Sequence, residues 1–229
     1  MSEPRQRRIA FVTIGQAPRR DVVPEMAALV GSHVRIDEYG VLDGLDAAAI
    51  AALGPRPGAY RFATRLADGT AVELDKAATE DRLATLVARL DGAGYDLLVP
   101  LCTGAALPAT ATLTVEPQQV VDHTLAALAH RCRRVGVVVP LAAQVDTLHL
   151  SVPVDCPVRL VHASPYEPDP ARAAAAFAAA GTALADCDVV LMHCMGYGAA
   201  MRTMVAAAAG RPVLLSTHLV ARLLAQILE

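Results

Sequence analysis

Two stretches of this 229-residue chain repeat one another, and that repeat limits the fold more than any other feature. Asp96-Leu97-Leu98-Val99-Pro100-Leu101-Cys102 and Asp188-Val189-Val190-Leu191-Met192-His193-Cys194 each open on an aspartate, run through an apolar segment and end on a cysteine at the same offset. A second pair accompanies them. Arg7-Arg8-Ile9-Ala10-Phe11-Val12-Thr13-Ile14 and Arg133-Arg134-Val135-Gly136-Val137-Val138-Val139-Pro140 share a basic pair, a small residue and an apolar run. In both halves the Arg-Arg stretch precedes the cysteine stretch. Short continuous apolar runs are the pattern of strands buried on both faces, as in parallel sheets covered by helices. The reading is an α/β chain of two similar lobes.

The intervening segments fit that architecture. Apolar residues at helical spacing predict helices over 21–30, 45–53, 75–90, 118–129, 171–185, 198–208 and 219–228. Asp75 is placed to cap the third of these. Further strands are expected at 34–39, 158–162 and 213–215. Tyr60–Leu66 and Thr70–Leu74, joined by Asp68-Gly69, predict a β-hairpin that projects from the main sheet. The expected lobes are 1–115 plus 212–229, with the hairpin near 60–74 as an insertion, and 116–211. The last helix is expected to pack back on the first lobe.

Composition removes several function classes. A net charge of −3 lacks the basic field of a nucleic-acid binder, and 3% aromatics with no Trp leave no base-stacking platform. Met1–Arg8 is polar rather than a leader, and no window reaches the ~18 apolar residues of a membrane span. Five cysteines without a CxxC pair suggest reduced thiols in the cytoplasm. Neither GxGxxG nor GxxxxGK[ST] occurs, so no cofactor is expected. No metal is expected either: His193 and Cys194 are adjacent on a strand and face opposite sides.

Cysteines at the carboxyl ends of buried parallel strands sit where open α/β sheets place their chemistry. Moving a proton between the two faces of a carbon acid needs a base on one face and an acid on the other. Cys102 and Cys194 can supply both, and a helix following Cys194 is expected to assist its thiolate. Cys132, Cys156 and Cys187 lack that placement and read as structural. Arg19, at a helix N-terminal turn, is placed to meet an anionic ligand, with Arg20 divided between that role and a solvated surface charge. Tyr197 offers a phenol at the turn after Cys194. His193 reads as core or supporting, while His218 and Glu116 are open between site and structural roles. Asp96 and Asp188, at the far ends of their strands, read as turn residues.

Thr13-Ile14-Gly15-Gln16-Ala17-Pro18-Arg19, Leu101-Cys102-Thr103-Gly104, Val138-Val139-Pro140, Cys194-Met195-Gly196-Tyr197 and Leu215-Ser216 with Ala221-Arg222-Leu223 resemble the AroM family over nearly the whole chain. That family is similar to the aspartate/glutamate racemase superfamily. The resemblance implies a racemase-like fold of two pseudo-symmetric lobes with parallel sheets flanked by helices, and a site between them with one cysteine from each. Cys102 and Cys194 match the catalytic positions, Thr103 and Gly104 the anion-binding turn, and Gly15-Gln16 the first substrate loop. The expected substrate-contacting set is Gly15, Gln16, Arg19, Thr103, Gly104, Pro140, Gly196, Tyr197 and Thr217. Gln16, Arg19 and Met195-Gly196 depart from amino-acid racemases and point to a different substrate.

The expected function is therefore a cofactor-independent racemase or isomerase acting on a small anionic, carboxylate-bearing substrate. A covalent cysteine-dependent isomerase or decarboxylase, or a non-catalytic small-molecule-binding regulator, is the alternative. The Ala-rich helices leave room for a homodimer face, and neither nucleic acid nor membrane is expected as a partner.

Overall fold

The computed structural model describes residues 5–229, so the reading of the first four residues as part of a polar non-leader segment lies outside the described residues. The chain forms two compact units, residues 1–116 with 222–229 and residues 117–221.

In the first unit, β1 (Arg7–Thr13) lies at the centre of a three-stranded parallel sheet. It is followed by α1 (Val23–Val30), β2 (Val34–Gly40) and α2 (Ala47–Ala52). The hairpin β3 (Arg61–Arg65) and β4 (Ala71–Asp75) forms its own antiparallel sheet, separate from the main one. Then come α3 (Lys76–Leu90) and β5 (Leu97–Pro100), which pairs with β1 on the side away from β2. β1 is paired on both edges, and Ile9, Ala10, Phe11 and Val12 are wholly buried, as an apolar run covered on both faces of the sheet requires. The Asp75 carboxylate accepts the Ala78 amide at 3.1 Å, the cap that starts α3. Beyond β5, Leu98 and Thr114 form a single parallel bridge.

The second unit runs α4 (Pro117–Ala129), β6 (Val135–Val139), β7 (Val158–His162), α5 (Pro170–Ala183), β8 (Val189–Met192), α6 (Ala199–Ala209) and β9 (Val213–Leu215). Its parallel sheet has the order β7-β6-β8-β9. The first unit's β2-β1-β5, with the bridging residue Thr114 beyond β5, repeats that order position for position. α7 (Ser216–Leu228) begins in the second unit, and its residues from Arg222 on belong to the first. The expected boundary at 212 is thus displaced: β9 hydrogen-bonds β8, which takes residues 212–221 into the second unit.

The two repeated motifs turn out to be partners. Asp96 accepts the Arg8 amide at 2.8 Å and the side chains of Arg5 and Arg7 at 2.6 and 3.0 Å. Asp188 accepts the Arg133 amide at 2.6 Å and the Arg133 guanidinium at 3.0 Å. Reading these aspartates as turn residues misses this function: each locks the start of a cysteine strand to the start of an Arg-Arg strand. In both, the carboxyl lies below its ordinary range: Asp96 despite its burial, through the Arg8 amide and the arginines, and Asp188 through Arg133 first. Asp96→Ala is expected to cost about 1–3 kcal/mol of stability in a denaturant titration, since it removes a charge-assisted bond to backbone.

Candidate functional site

The register carries both cysteines to the same place. Val12 faces Pro100 and Val138 faces Met192 in the paired strands. The next amides, Leu101 and His193, donate to the Val12 and Val138 carbonyls at 2.8 and 2.9 Å. Cys102 and Cys194 follow one residue later, at the carboxyl edges of their sheets, and both are half-buried, whereas Cys187 is fully buried.

At the first edge, Cys102 packs against an apolar cluster that includes Phe62, Leu74 and Ala105. Thr103 and Gly104 follow in an irregular turn, with Gly104 at φ +147°, a backbone conformation suited to glycine. The Ala106 amide donates to Glu80 Oε1 at 2.8 Å, which ties the segment after the turn to α3. At the end of β1, the Gly15 amide donates to Thr13 Oγ1 at 3.1 Å. Gln16 connects this loop to the hairpin: its amide donates to the Arg65 carbonyl at 3.1 Å, and its Oε1 accepts the Ala67 amide at 3.0 Å. Gln16 thus positions the loop with its side chain.

Arg19 differs from expectation. It is 3% exposed, its guanidinium donates twice to Asp21 at 2.9 and 2.8 Å, and Nη1 donates to Thr13 Oγ1 at 3.0 Å. It shares Asp21, two residues away, with the Arg65 guanidinium at 3.6 Å, and its bond to Thr13 buttresses the β1 loop.

At the second edge, the Gly196 amide donates to Cys194 Sγ at 3.3 Å, and the Tyr166 hydroxyl lies 3.9 Å from the same sulfur. An amide proton aimed at sulfur stabilises negative charge there. The expected helix, α6, begins at Ala199 with Gly198 as its cap, and the turn before it supplies the Gly196 amide to the sulfur. Gly196 is needed at this turn, because a Cβ there would lie 2.7 Å from the Tyr166 hydroxyl and 3.2 Å from Pro165. Gly196→Ala is therefore expected to slow Cys194 alkylation by iodoacetamide severalfold at neutral pH while leaving the circular dichroism spectrum unchanged. Pro140, buried, closes β6 beside this edge.

Two expected contacts lie inside the second unit's core. Tyr197 is fully buried, donates to the Ala163 carbonyl at 2.8 Å and meets Phe177 edge-to-face at 6.0 Å. Burial first, then Cys194 and Tyr166, pushes its phenol well above the ordinary value, so it stays neutral. Thr217, 1% exposed, donates to the Tyr197 carbonyl at 3.3 Å. Both side chains hold the turn in place from behind.

His193 follows β8 directly and is buried at 3% exposure. Its Nε2 lies 2.8 Å from Asp122 Oδ1, and the Ser151 amide donates to Asp122 Oδ2 at 2.7 Å. Burial raises the Asp122 carboxyl, but His193 and the Ser151 amide outweigh it and hold it below the ordinary range. The carboxylate is ionised and accepts only, so Nε2 carries the proton. Asp122 and Tyr166 were missed from the sequence. A signal existed for Asp122: it interrupts the buried stripe of Pro117, Val121, Leu125 and Ala129 on α4.

The fold is shared with solved racemases and an isomerase. Allantoin racemase from Pseudomonas fluorescens superposes with a TM-score of 0.63 at 14% identity, over 96% of this chain and 90% of that one. Picrophilus torridus aspartate racemase gives 0.63 at 12% identity, over 97% and 94%. Nocardia farcinica maleate cis-trans isomerase, a mutant with a covalently bound succinylcysteine intermediate, gives 0.51 at 15% identity, over 94% and 89%. The chain belongs to the AroM family, whose model, described as AroM protein, matches residues 9–228. No curated protein sequence matches it. Among the described residues no helix is long and apolar enough to cross a membrane.

Proposed function

We propose that the protein is a cofactor-independent racemase or isomerase that moves a carbon-bound proton of a small carboxylate-bearing substrate, with Cys102 and Cys194 as its two proton-carrying groups. The observation that supports this most is positional. Both sulfurs stand at the same register position of a repeated sheet, at its carboxyl edge. One thiolate takes the proton, the substrate carbon bears the charge as an enolate-like species, and the other thiol returns a proton to the opposite face. The electron pair stays on the substrate throughout, so no oxidant or reductant is required. The Thr103-Gly104 turn and the Met195 amide offer backbone donors to the substrate's oxygens, the Gly196 amide being directed at Cys194 Sγ. The similar folds include racemases and an isomerase, in keeping with this chemistry.

The substituted loop at Gly15-Gln16, tied to a hairpin, favours a substrate other than an amino acid. The test incubates the protein in deuterated water with 2-phenylpropionate, 2-methylsuccinate and substituted malonates and follows loss of the Cα–H signal by NMR. Exchange of at least one of them by the wild type, abolished in the C102S/C194S double variant, is expected. Exchange by the double variant at the wild-type rate would refute the assignment. A second reading, covalent isomerisation, is favoured by the succinylcysteine in the similar maleate isomerase. Mass spectrometry after incubation with maleate separates the two, since only the covalent route adds mass to a cysteine.

A further inference from the structure

The hairpin β3–β4 belongs to neither repeated sheet, yet it reaches both turns that end β1 and β5. Its buried face presents Phe62 and Thr64, two residues apart on one side of β3, at 4% and 0% exposure. A Cβ at Gly104 would lie 3.5 Å from Phe62 Cε1, and Cys102 packs against the cluster that contains this ring. A Cβ at Gly15 would overlap the Thr64 hydroxyl and the Arg65 carbonyl. Thr64 Oγ1 is enclosed and has no hydrogen-bond partner. Enclosed hydroxyls are almost always satisfied, and one left open is an unmet cost that a ligand oxygen can relieve. The hairpin meets the β1 loop through the Gln16 amide and the Arg65 carbonyl, through Gln16 Oε1 and the Ala67 amide, and through the Arg65 guanidinium, 3.6 Å from Asp21.

We infer that this hairpin is the substrate-selecting wall of the Cys102 edge. Thr64 donates its hydroxyl to a substrate carboxylate oxygen received at the Gly15 turn, and Phe62 limits the size of the group that fits beside Gly104. Because Thr64 is enclosed against Gly15, this role requires the ribbon, which shares no ladder with the main sheet, to part from the Gly15 turn when substrate enters. The inference rests on the carboxylate-substrate reading above and names the residues that choose among such substrates.

The experiment measures the affinity of malonate and phenylmalonate by calorimetry, together with ligand-free melting, for wild type, Thr64→Val, Thr64→Ser and Phe62→Ala. Valine keeps the shape of threonine and removes the unpartnered hydroxyl. Thr64→Val is expected to melt no lower than wild type yet to bind malonate roughly tenfold more weakly, while Thr64→Ser retains binding. Phe62→Ala is expected to shift the phenylmalonate-to-malonate affinity ratio roughly tenfold or more toward the larger ligand. A Thr64→Val protein that melts lower and binds malonate as wild type does would show that the hydroxyl is structural and overturn the inference, as would an unchanged ratio in Phe62→Ala. Wild type that binds neither ligand would overturn the carboxylate reading together with this one. Binding with unchanged selectivity overturns this one alone.

Discussion

Replacing His193 with leucine is expected to cost about 3–5 kcal/mol, because it leaves the Asp122 carboxylate buried with only the Ser151 amide as partner. His193 and Asp122 side chains are 2% and 0% exposed, so water cannot take the place of the lost bond. The loss reads directly as a lower midpoint in thermal or denaturant unfolding. Replacing both residues, H193L with D122L, should recover most of the stability, since an apolar pair of similar volume avoids desolvating the charge. A single variant within 0.5 kcal/mol of wild type would show that the pair contributes little.

The same pair sets a pH dependence with a definite sign. The folded carboxyl of Asp122 lies below its ordinary value, so the unfolded chain binds the proton more readily. The contribution is complete above the ordinary carboxylate value of about 4. It fades as the pH falls through the lower folded value. In Asp122→Asn, this part of the acid destabilisation should disappear from the midpoint-versus-pH curve.

The second large effect falls on chemistry. Cys102→Ser and Cys194→Ser are each expected to lower interconversion of enantiomers by roughly 10²–10⁴, the usual contribution of a positioned acid or base. Neither substitution should cost much stability, because both thiols are half-buried and serine is nearly isosteric. Cys132→Ser and Cys156→Ser, which lie away from the carboxyl edges, should leave turnover unchanged.

The sheet was legible because each strand carries its own signal. Ile9–Val12 and Val135–Val139 are apolar on both faces, and Asp75 stands where a helix cap belongs. The hairpin was legible from Asp68-Gly69, and the structure gives Gly69 the positive φ such a turn needs. What the sequence concealed depends on residues far apart along the chain. Tyr197 follows a glycine turn and looks exposed, yet its hydroxyl is taken by Ala163, 34 residues earlier. Asp96 and Asp188 look like loop residues until the register brings the Arg-Arg pairs beside them. For Arg19 the partner Asp21 is close by and exposed, but the burial of the arginine itself against Thr13 has no local signal. Phe62 and Thr64 were legible as a strand and illegible as neighbours of the two glycine turns.

Enantiomer-resolved deuterium exchange tests the two-cysteine assignment most directly. With a chiral substrate identified by the wash-in screen, wild type should incorporate deuterium from either enantiomer and interconvert the two. Each single serine variant should lose interconversion and keep exchange with one enantiomer only, with opposite preferences in C102S and C194S, because each retains the base for one face. The same preference in both variants, or interconversion surviving either substitution at the wild-type rate, would contradict the assignment.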